Sequence, residues 1–145
     1  MNHTLQETSD YRSLAKLYLD SGLEVPSIES PSGEVVKHWK YTDDTGKLLA
    51  GATLLYKGKF CVLEYLAVTE DMQGQGIGTK LLRVVEAEAQ TRGIHTLWLC
   101  GKVPAFYQKF GWLIVDSKDA PPISLCQHCP NFQITCTPKI MKKNL

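Results

Sequence analysis

Residues 64 to 90 read EYLAVTEDMQGQGIGTKLLRVVEAEAQ. An apolar run with strand character gives way to glycines at alternate positions, Gly74, Gly76 and Gly78, after which apolar residues resume at helical spacing. A strand that turns into a helix through bare backbone leaves the first helical N–H groups unpaired. They carry a partial positive charge of about half a unit. A tight turn alone rarely needs three glycines. The stretch therefore predicts a strand–loop–helix unit with an anion site at the helix mouth. Gly93 stops that helix, and HTLWLC at 95 to 100 supplies a further strand, so the unit is part of a crossover.

The remaining elements assemble around this crossover. Asp10 caps a helix whose Leu14, Leu17 and Tyr18 share one face, and which ends near Gly22 ahead of a turn region from Pro26 to Gly33. VVKHWKYTDD, KLLAGATLLY and FCVLEYLAV read as three strands of an antiparallel meander, joined by turns at Thr45–Gly46 and at residues 57 to 59. VPAFYQKF is a short helix with Pro104 near its first turn, and Gly111 to Val115 begins a closing strand. The tail QITCTPKIM adds one more strand, which Pro138 confines to an edge. These elements predict an α+β fold: a single mixed, mostly antiparallel sheet flanked by helices, in one domain over residues 1–145. With 43% apolar and 21% charged residues, a chain of this length buries one core. Its formal charge is +1 and its basic residues are dispersed along the sequence, apart from Lys142 and Lys143, so neither nucleic acid nor an anionic membrane is an expected partner. The N-terminus lacks the pattern of a leader, and no apolar run approaches the roughly 20 residues of a spanning helix, which predicts a cytoplasmic protein.

Known phosphate loops narrow the ligand. GQGIGTK fails the spacing G-x-x-x-x-G-K-[ST], since Lys80 follows Thr79, so nucleoside triphosphates are disfavoured. Thr79 occupies the third-glycine position of G-x-G-x-x-G, and no acidic residue ends the strand HTLWLC, so nicotinamide cofactors are disfavoured as well.

The pattern Q-x-x-G-x-G, met as Gln73, Gly76 and Gly78, resembles the acetyl-CoA loop of the GCN5-related N-acetyltransferase superfamily, and AFYQKFGW resembles its F-Y-x-K-x-G-F segment. Together the two motifs span roughly Phe60 to Val115, about half the chain. The resemblance implies that Gln73, Gly74, Gln75, Gly76, Ile77, Gly78 and Thr79 hold the pyrophosphate of acetyl-CoA. It further implies that Leu66, Ala67 and Val68 offer backbone to the pantetheine arm, with direct transfer of the acetyl group to a primary amine of a small molecule or peptide. Many members carry Asn near the end of the strand before the second motif, where this chain has CGKVP.

Two side chains suit the chemistry. Alternation places Val62, Glu64, Leu66 and Val68 on one face, with Glu64 the odd carboxylate in an apolar strand. Burial would raise its pKa toward that of a general base for the substrate ammonium. Tyr107, a phenol protonated at neutral pH, is the candidate acid for the leaving thiolate. Phe106 and Phe110 share an i, i+4 face from which Tyr107 is turned away. Cys61 and Cys100 read as buried small hydrophobes.

Cys126, Cys129 and Cys136, with His128 between them, form only a partial ligand set, so no metal is expected. Five cysteines are an odd count for a disulfide framework and point to reduced thiols. Two other readings remain: a noncatalytic acyl-CoA-binding regulatory module, and a thiol- or metal-sensing domain using the C-terminal cysteines. The expected partners are an amine of unspecified identity and, as one option, a second copy of the chain.

Overall fold

Alternation along one central strand decides how the molecule is layered, and the computed structural model describes it within residues 3–123 and 139–145. The elements are β1 (Thr4–Thr8), α1 (Tyr11–Asp20), β2 (Glu34–Thr42), β3 (Leu48–Lys57), β4 (Phe60–Val68), α2 (Ile77–Thr91), β5 (Thr96–Gly101), α3 (Pro104–Gln108), β6 (Leu113–Val115) and β7 (Lys139–Asn144). Among the described residues the strands form one mixed sheet in the order β1-β2-β3-β4-β5-β7-β6, in which β4 and β5 are the parallel pair. No described helix is long and apolar enough to cross a membrane.

In β3, Ala50, Ala52 and Leu54 face α2, whose Ile77, Leu81, Leu82, Val85 and Ala89 recur on one helical face and are all buried. Burying each large aliphatic side chain of that stripe contributes on the order of 1.5–3 kcal/mol. The alternate residues of β3 face α1. A Cβ at Gly51 would stand 2.4 Å from Leu14 Cδ2, so the glycine is what lets α1 lie directly on the strand. Asp10 caps α1 as expected, accepting from the Ser13 amide at 3.2 Å.

Three features depart from the sequence reading. The first is β1, which has no apolar alternation and joins the sheet through its ladder with β2, Thr4 opposite Thr42 to Thr8 opposite His38. The second is the tail strand. β7 begins at Lys139 and, among the described residues, sits between β5 and β6 rather than at an edge. The part of the predicted strand before Lys139 lies outside the described residues. The third is in β4. Thr53 and Leu54 are consecutive on β3 but pair with Tyr65 and Leu63, which leaves Glu64 as the extra residue of a bulge. The bulge reverses the alternation. Cys61 and Leu63 face α2, as do Leu66 and Val68, whereas Val62, Tyr65 and Ala67 face the other way. Val62 therefore does not share a face with Leu66 and Val68.

A short polar chain lies under α1. The Thr53 hydroxyl is 2.9 Å from the Tyr18 hydroxyl and 2.9 Å from His38 Nδ1. Burial lowers the His38 pKa, which favours the neutral ring. Every group is then satisfied if Tyr18 donates to Thr53 and Thr53 donates to Nδ1. Thr53→Val keeps the shape but orphans both neighbours at once. A loss of about 1–3 kcal/mol in a denaturant titration is expected, and an unchanged midpoint would show that the chain does not support the fold.

Candidate functional site

β4 and β5 are joined at two positions only, Cys61 with Leu97 and Val62 with Trp98. The bulge at Glu64 follows, and from Tyr65 to Val68 the ladder of β4 runs to β3 alone, opposite Thr53 to Ala50. Of Leu66, Ala67 and Val68, the N–H and C=O groups directed away from β3 face a gap and are available to an extended partner, except the Val68 carbonyl, which accepts from Gln73.

The loop lies at the open end of this gap. Thr69 donates its N–H to Leu49 at 2.8 Å, a 3-10 turn spans Glu70–Met72, and Gln73 Nε2 returns to the Val68 carbonyl at 3.1 Å. Gly74 and Gly76 both have φ of 82°, a left-handed conformation that favours glycine, and no atom lies within 4 Å of a Cβ built at either. Gly76 is the N-cap of α2, with no side-chain cap and no acidic residue in the first turn. The first intrahelical bond runs from the Lys80 amide to the Gly76 carbonyl at 3.1 Å. The amides of Ile77, Gly78 and Thr79 are thus the uncapped donors, aided by the helix dipole. Gln73, Gly74, Gln75 and Gly76 are exposed, while the Ile77 side chain is buried and contributes only its backbone here.

The predicted base and acid occupy different faces of the sheet. Glu64 is largely buried at the bulge, where Lys57 Nζ pairs with its Oε2 at 2.7 Å. Burial raises its pKa and Lys57 opposes the rise. Its charge is also felt by Tyr11 and Tyr65 on the α1 side. Tyr107 packs with the α2-side core instead. It is not turned away from its neighbours: its ring meets Phe106 edge-on at 5.0 Å and Trp112 at 5.9 Å, and it covers Gly101 at the end of β5. The expected Phe106–Phe110 contact is present at 5.4 Å. Burial alone pushes the Tyr107 phenol up to about 12, so it holds its proton through the neutral range.

Several residues that sequence reasoning passed over belong to the same region. Phe106 reaches the loop, its ring 3.4 Å from where a Gly78 Cβ would stand, which ties α3 to the mouth of α2. The Thr69 hydroxyl, at the root of the loop, is buried with no hydrogen-bond partner among the described residues. The Tyr11 hydroxyl is likewise shielded and unbonded, although Tyr65 lies beside it. Lys102, in the CGKVP stretch, donates to the Gly22 carbonyl and so connects the end of β5 to the end of α1. Apart from Phe106, which lies in AFYQKFGW, none of these has a spacing signature, and the contacts of all of them arise only from the folded packing.

Cys61 is a buried free thiol whose pKa burial pushes up to about 11, as suits a packing residue rather than a nucleophile. Cys100 is half-buried and packs beside Trp98 and Val115. Cys126, His128, Cys129 and Cys136 lie outside the described residues. Among the described residues no cluster of three His, Cys, Asp or Glu is placed to hold a metal.

Comparison with known proteins agrees with this geometry. No curated protein matches the chain. An acetyltransferase of the GNAT family from Staphylococcus aureus superposes with a TM-score of 0.75 at 15% identity, covering 99% of each chain. The PaiA N-acetyltransferase of Thermoplasma acidophilum, solved in complex with coenzyme A, gives 0.71 at 16% identity over 100% of both chains. The N-acetylglutamate synthase of Neisseria gonorrhoeae, complexed with coenzyme A and N-acetyl-glutamate, gives 0.72 at 17% identity, covering 100% of this chain and 35% of that one. The family model described as Acetyltransferase (GNAT) family matches residues 6–112, most of the sequence, and the chain belongs to that family.

Proposed function

We propose that the protein is an acetyl-CoA-dependent N-acetyltransferase that moves the acetyl group directly to a primary amine of a small molecule or peptide. The observation that carries this reading is the continuity of two features on one strand: β4 leaves β5 just past Val62, and the same strand ends at an uncapped helix mouth. The residues present fit the co-substrate. Open glycine positions leave room for a pyrophosphate against the Ile77, Gly78 and Thr79 amides, and Gln73 fixes the loop to Val68. Leu66, Ala67 and Val68 would pair with the amide-bearing pantetheine arm as a neighbouring strand would. Coenzyme A in two of the related structures supports the assignment.

In this reading Glu64 takes a proton from the substrate ammonium, directly or through water, on the α1 side of the gap. The freed nitrogen attacks the thioester carbonyl, the C–S bond breaks as Tyr107 gives its proton to the departing thiolate from the α2 side, and the second proton released by the nitrogen as the amide forms restores the phenol. Lys57 holds the Glu64 carboxylate in place and competes with the incoming ammonium for it.

Three substitutions test these roles. Gly76→Glu puts bulk and negative charge at the pyrophosphate position; a Cβ there meets no protein atom within 4 Å, and the left-handed φ of 82° costs the variant about 1–2 kcal/mol, so folding is checked alongside binding. Calorimetric titration should show coenzyme A binding lost, and unchanged affinity in the folded variant would remove the loop assignment. Tyr107→Phe should keep coenzyme A affinity while turnover, measured over a panel of amines, polyamines, amino acids and peptides, drops roughly 10²-fold or more. Full turnover in this variant would leave Tyr107 a packing residue, and binding of coenzyme A without turnover by the unaltered protein on any amine would identify a noncatalytic module. For Glu64 the pH profile is informative. A base works only when ionised, so the rate should fall on the acid side at a pH above the ordinary carboxylate value, because burial raises the Glu64 pKa. Glu64→Gln should lower the rate most where the amine is protonated, and a uniform loss at every pH would count against the base role.

A further inference from the structure

The cofactor gap opens at the C-terminal end of β4, and a second cavity lies at the strand's other end. It has a volume of about 420 Å³ and sits where the β3–β4 turn, the α2–β5 connection and β7 meet. A β4 of nine residues places it about 26 Å from the phosphate loop along the strand.

The walls combine aromatic and basic side chains. Phe60 and Trp98 meet edge to face with centroids 6.0 Å apart, and both remain partly open to solvent. Lys59 Nζ stands 5.4 Å from the centre of the Phe60 ring, and Lys142 Nζ stands 5.9 Å from that of Trp98. Arg92 and His95 complete the rim, and no Asp or Glu is among the described lining residues. In a chain with 16 Lys and Arg against 15 Asp and Glu, a wall with three Lys or Arg residues and no acid is a marked separation of charge. Arg92 is already paired with Glu88 at 2.6 Å. Lys59 and Lys142 instead rest over aromatic faces, which hold the ammonium groups near the cavity while leaving them able to bond an anion.

Such a surface favours a ligand with two properties at once. A negative group is attracted to the two ammonium groups, and a flat apolar body lies against Trp98 and Phe60. The volume falls within the roughly 300–1,000 Å³ usual for small-molecule sites, and its three Lys or Arg residues cluster at one hollow rather than extending as a stripe along which a nucleic-acid backbone could run. We propose that this cavity binds a small planar aromatic anion, at a site separate from the cofactor gap and independent of whether the protein is an active transferase.

The test uses 2-naphthoate as the probe, titrated into the full chain with saturating coenzyme A present so that the cofactor gap is filled. Heat and intrinsic fluorescence are followed together. Trp39 and Trp112 are 3% and 1% exposed, so Trp98 is the indole placed to respond. The expected result is saturable one-to-one binding with a change in Trp98 emission. Neutral 2-naphthalenemethanol, which lacks the charge, and cyclohexanecarboxylate, which lacks the ring, should each bind at least about tenfold more weakly. Lys59→Glu with Lys142→Glu should weaken 2-naphthoate by at least about tenfold while coenzyme A affinity stays unchanged. If that double variant fails to fold, the Gln pair at the same positions should show the same direction of change. Absence of saturable binding at millimolar 2-naphthoate would overturn the proposal, as would equal affinity for the neutral alcohol or for the folded charge variants. Binding that appears only without coenzyme A would overturn it too, because it would place the probe in the cofactor gap.

Discussion

The parting of β4 from β5 is the constraint on which the rest of the molecule depends. Two residue pairs hold these strands at their root, and an extra residue, Glu64, then breaks the regular pleat. A strand that loses one neighbour forfeits ladder bonds worth about 0.5–1.5 kcal/mol each. β4 stays in place because both of its faces are packed: Leu63 is buried on the α2 side, and Tyr65 and Ala67 on the α1 side. Large buried side chains at about 1.5–3 kcal/mol each outweigh the missing bonds. The gap is thus a consequence of strong side-chain packing on a strand with weak lateral pairing.

The bulge also explains why the two candidate catalytic groups have separate environments. Below it, odd-numbered residues of β4 face α2; above it, even-numbered residues do. Glu64 stands where the parity changes, with its carboxylate held by Lys57 and within electrostatic reach of Tyr11 and Tyr65. Tyr107 belongs to the aromatic group formed with Phe106 and Trp112 on the other side. Trp112 is in turn fixed by its bond to Glu86 of α2 at 3.1 Å, and Glu86 by Lys143 of β7 at 2.6 Å. The acid candidate is therefore braced by three elements, whereas the base candidate is braced by a single ion pair whose partner has its own claim on the charge.

Much of this architecture was legible in the sequence, and the reasons differ by element. α2 combines a glycine start, a five-residue apolar stripe and a glycine stop, three independent local signals that agree. The meander from β2 to β4 is marked by β-rich segments and short turns. β1 was not legible because TLQET carries no apolar pattern, its place being fixed by pairing with β2 across about thirty residues of sequence. The interior position of β7 was hidden by Pro138 in the sequence, because the proline rule applies to the residue that lacks the N–H and not to Lys139 after it, where the ladder with β5 begins. The residue at which β4 bulges, and the reversal of alternation there, escaped because the signature is a difference in count between two strands, which no single strand contains. For the site, glycine spacing identified the loop, but Thr69 and Lys102 enter it through packing and belong to no motif, and Phe106, although part of AFYQKFGW, gave no sign that its ring would reach Gly78.

Charge shows the same limit in a different form. Along the sequence Lys59, Arg92, His95 and Lys142 are separated by gaps of 33, 3 and 47 positions, and the chain reads as electrically balanced. The parallel pairing of β4 with β5 brings the β3–β4 turn beside the α2–β5 connection, and the antiparallel pairing of β5 with β7 sets Lys142 opposite Trp98. Sheet register therefore collects the basic residues at one end of the same two strands whose other end opens into the gap between them. Net charge is a property of composition, but local field is a property of register, and a near-zero total left the concentrated basic wall beside Trp98 unseen until the strands were paired.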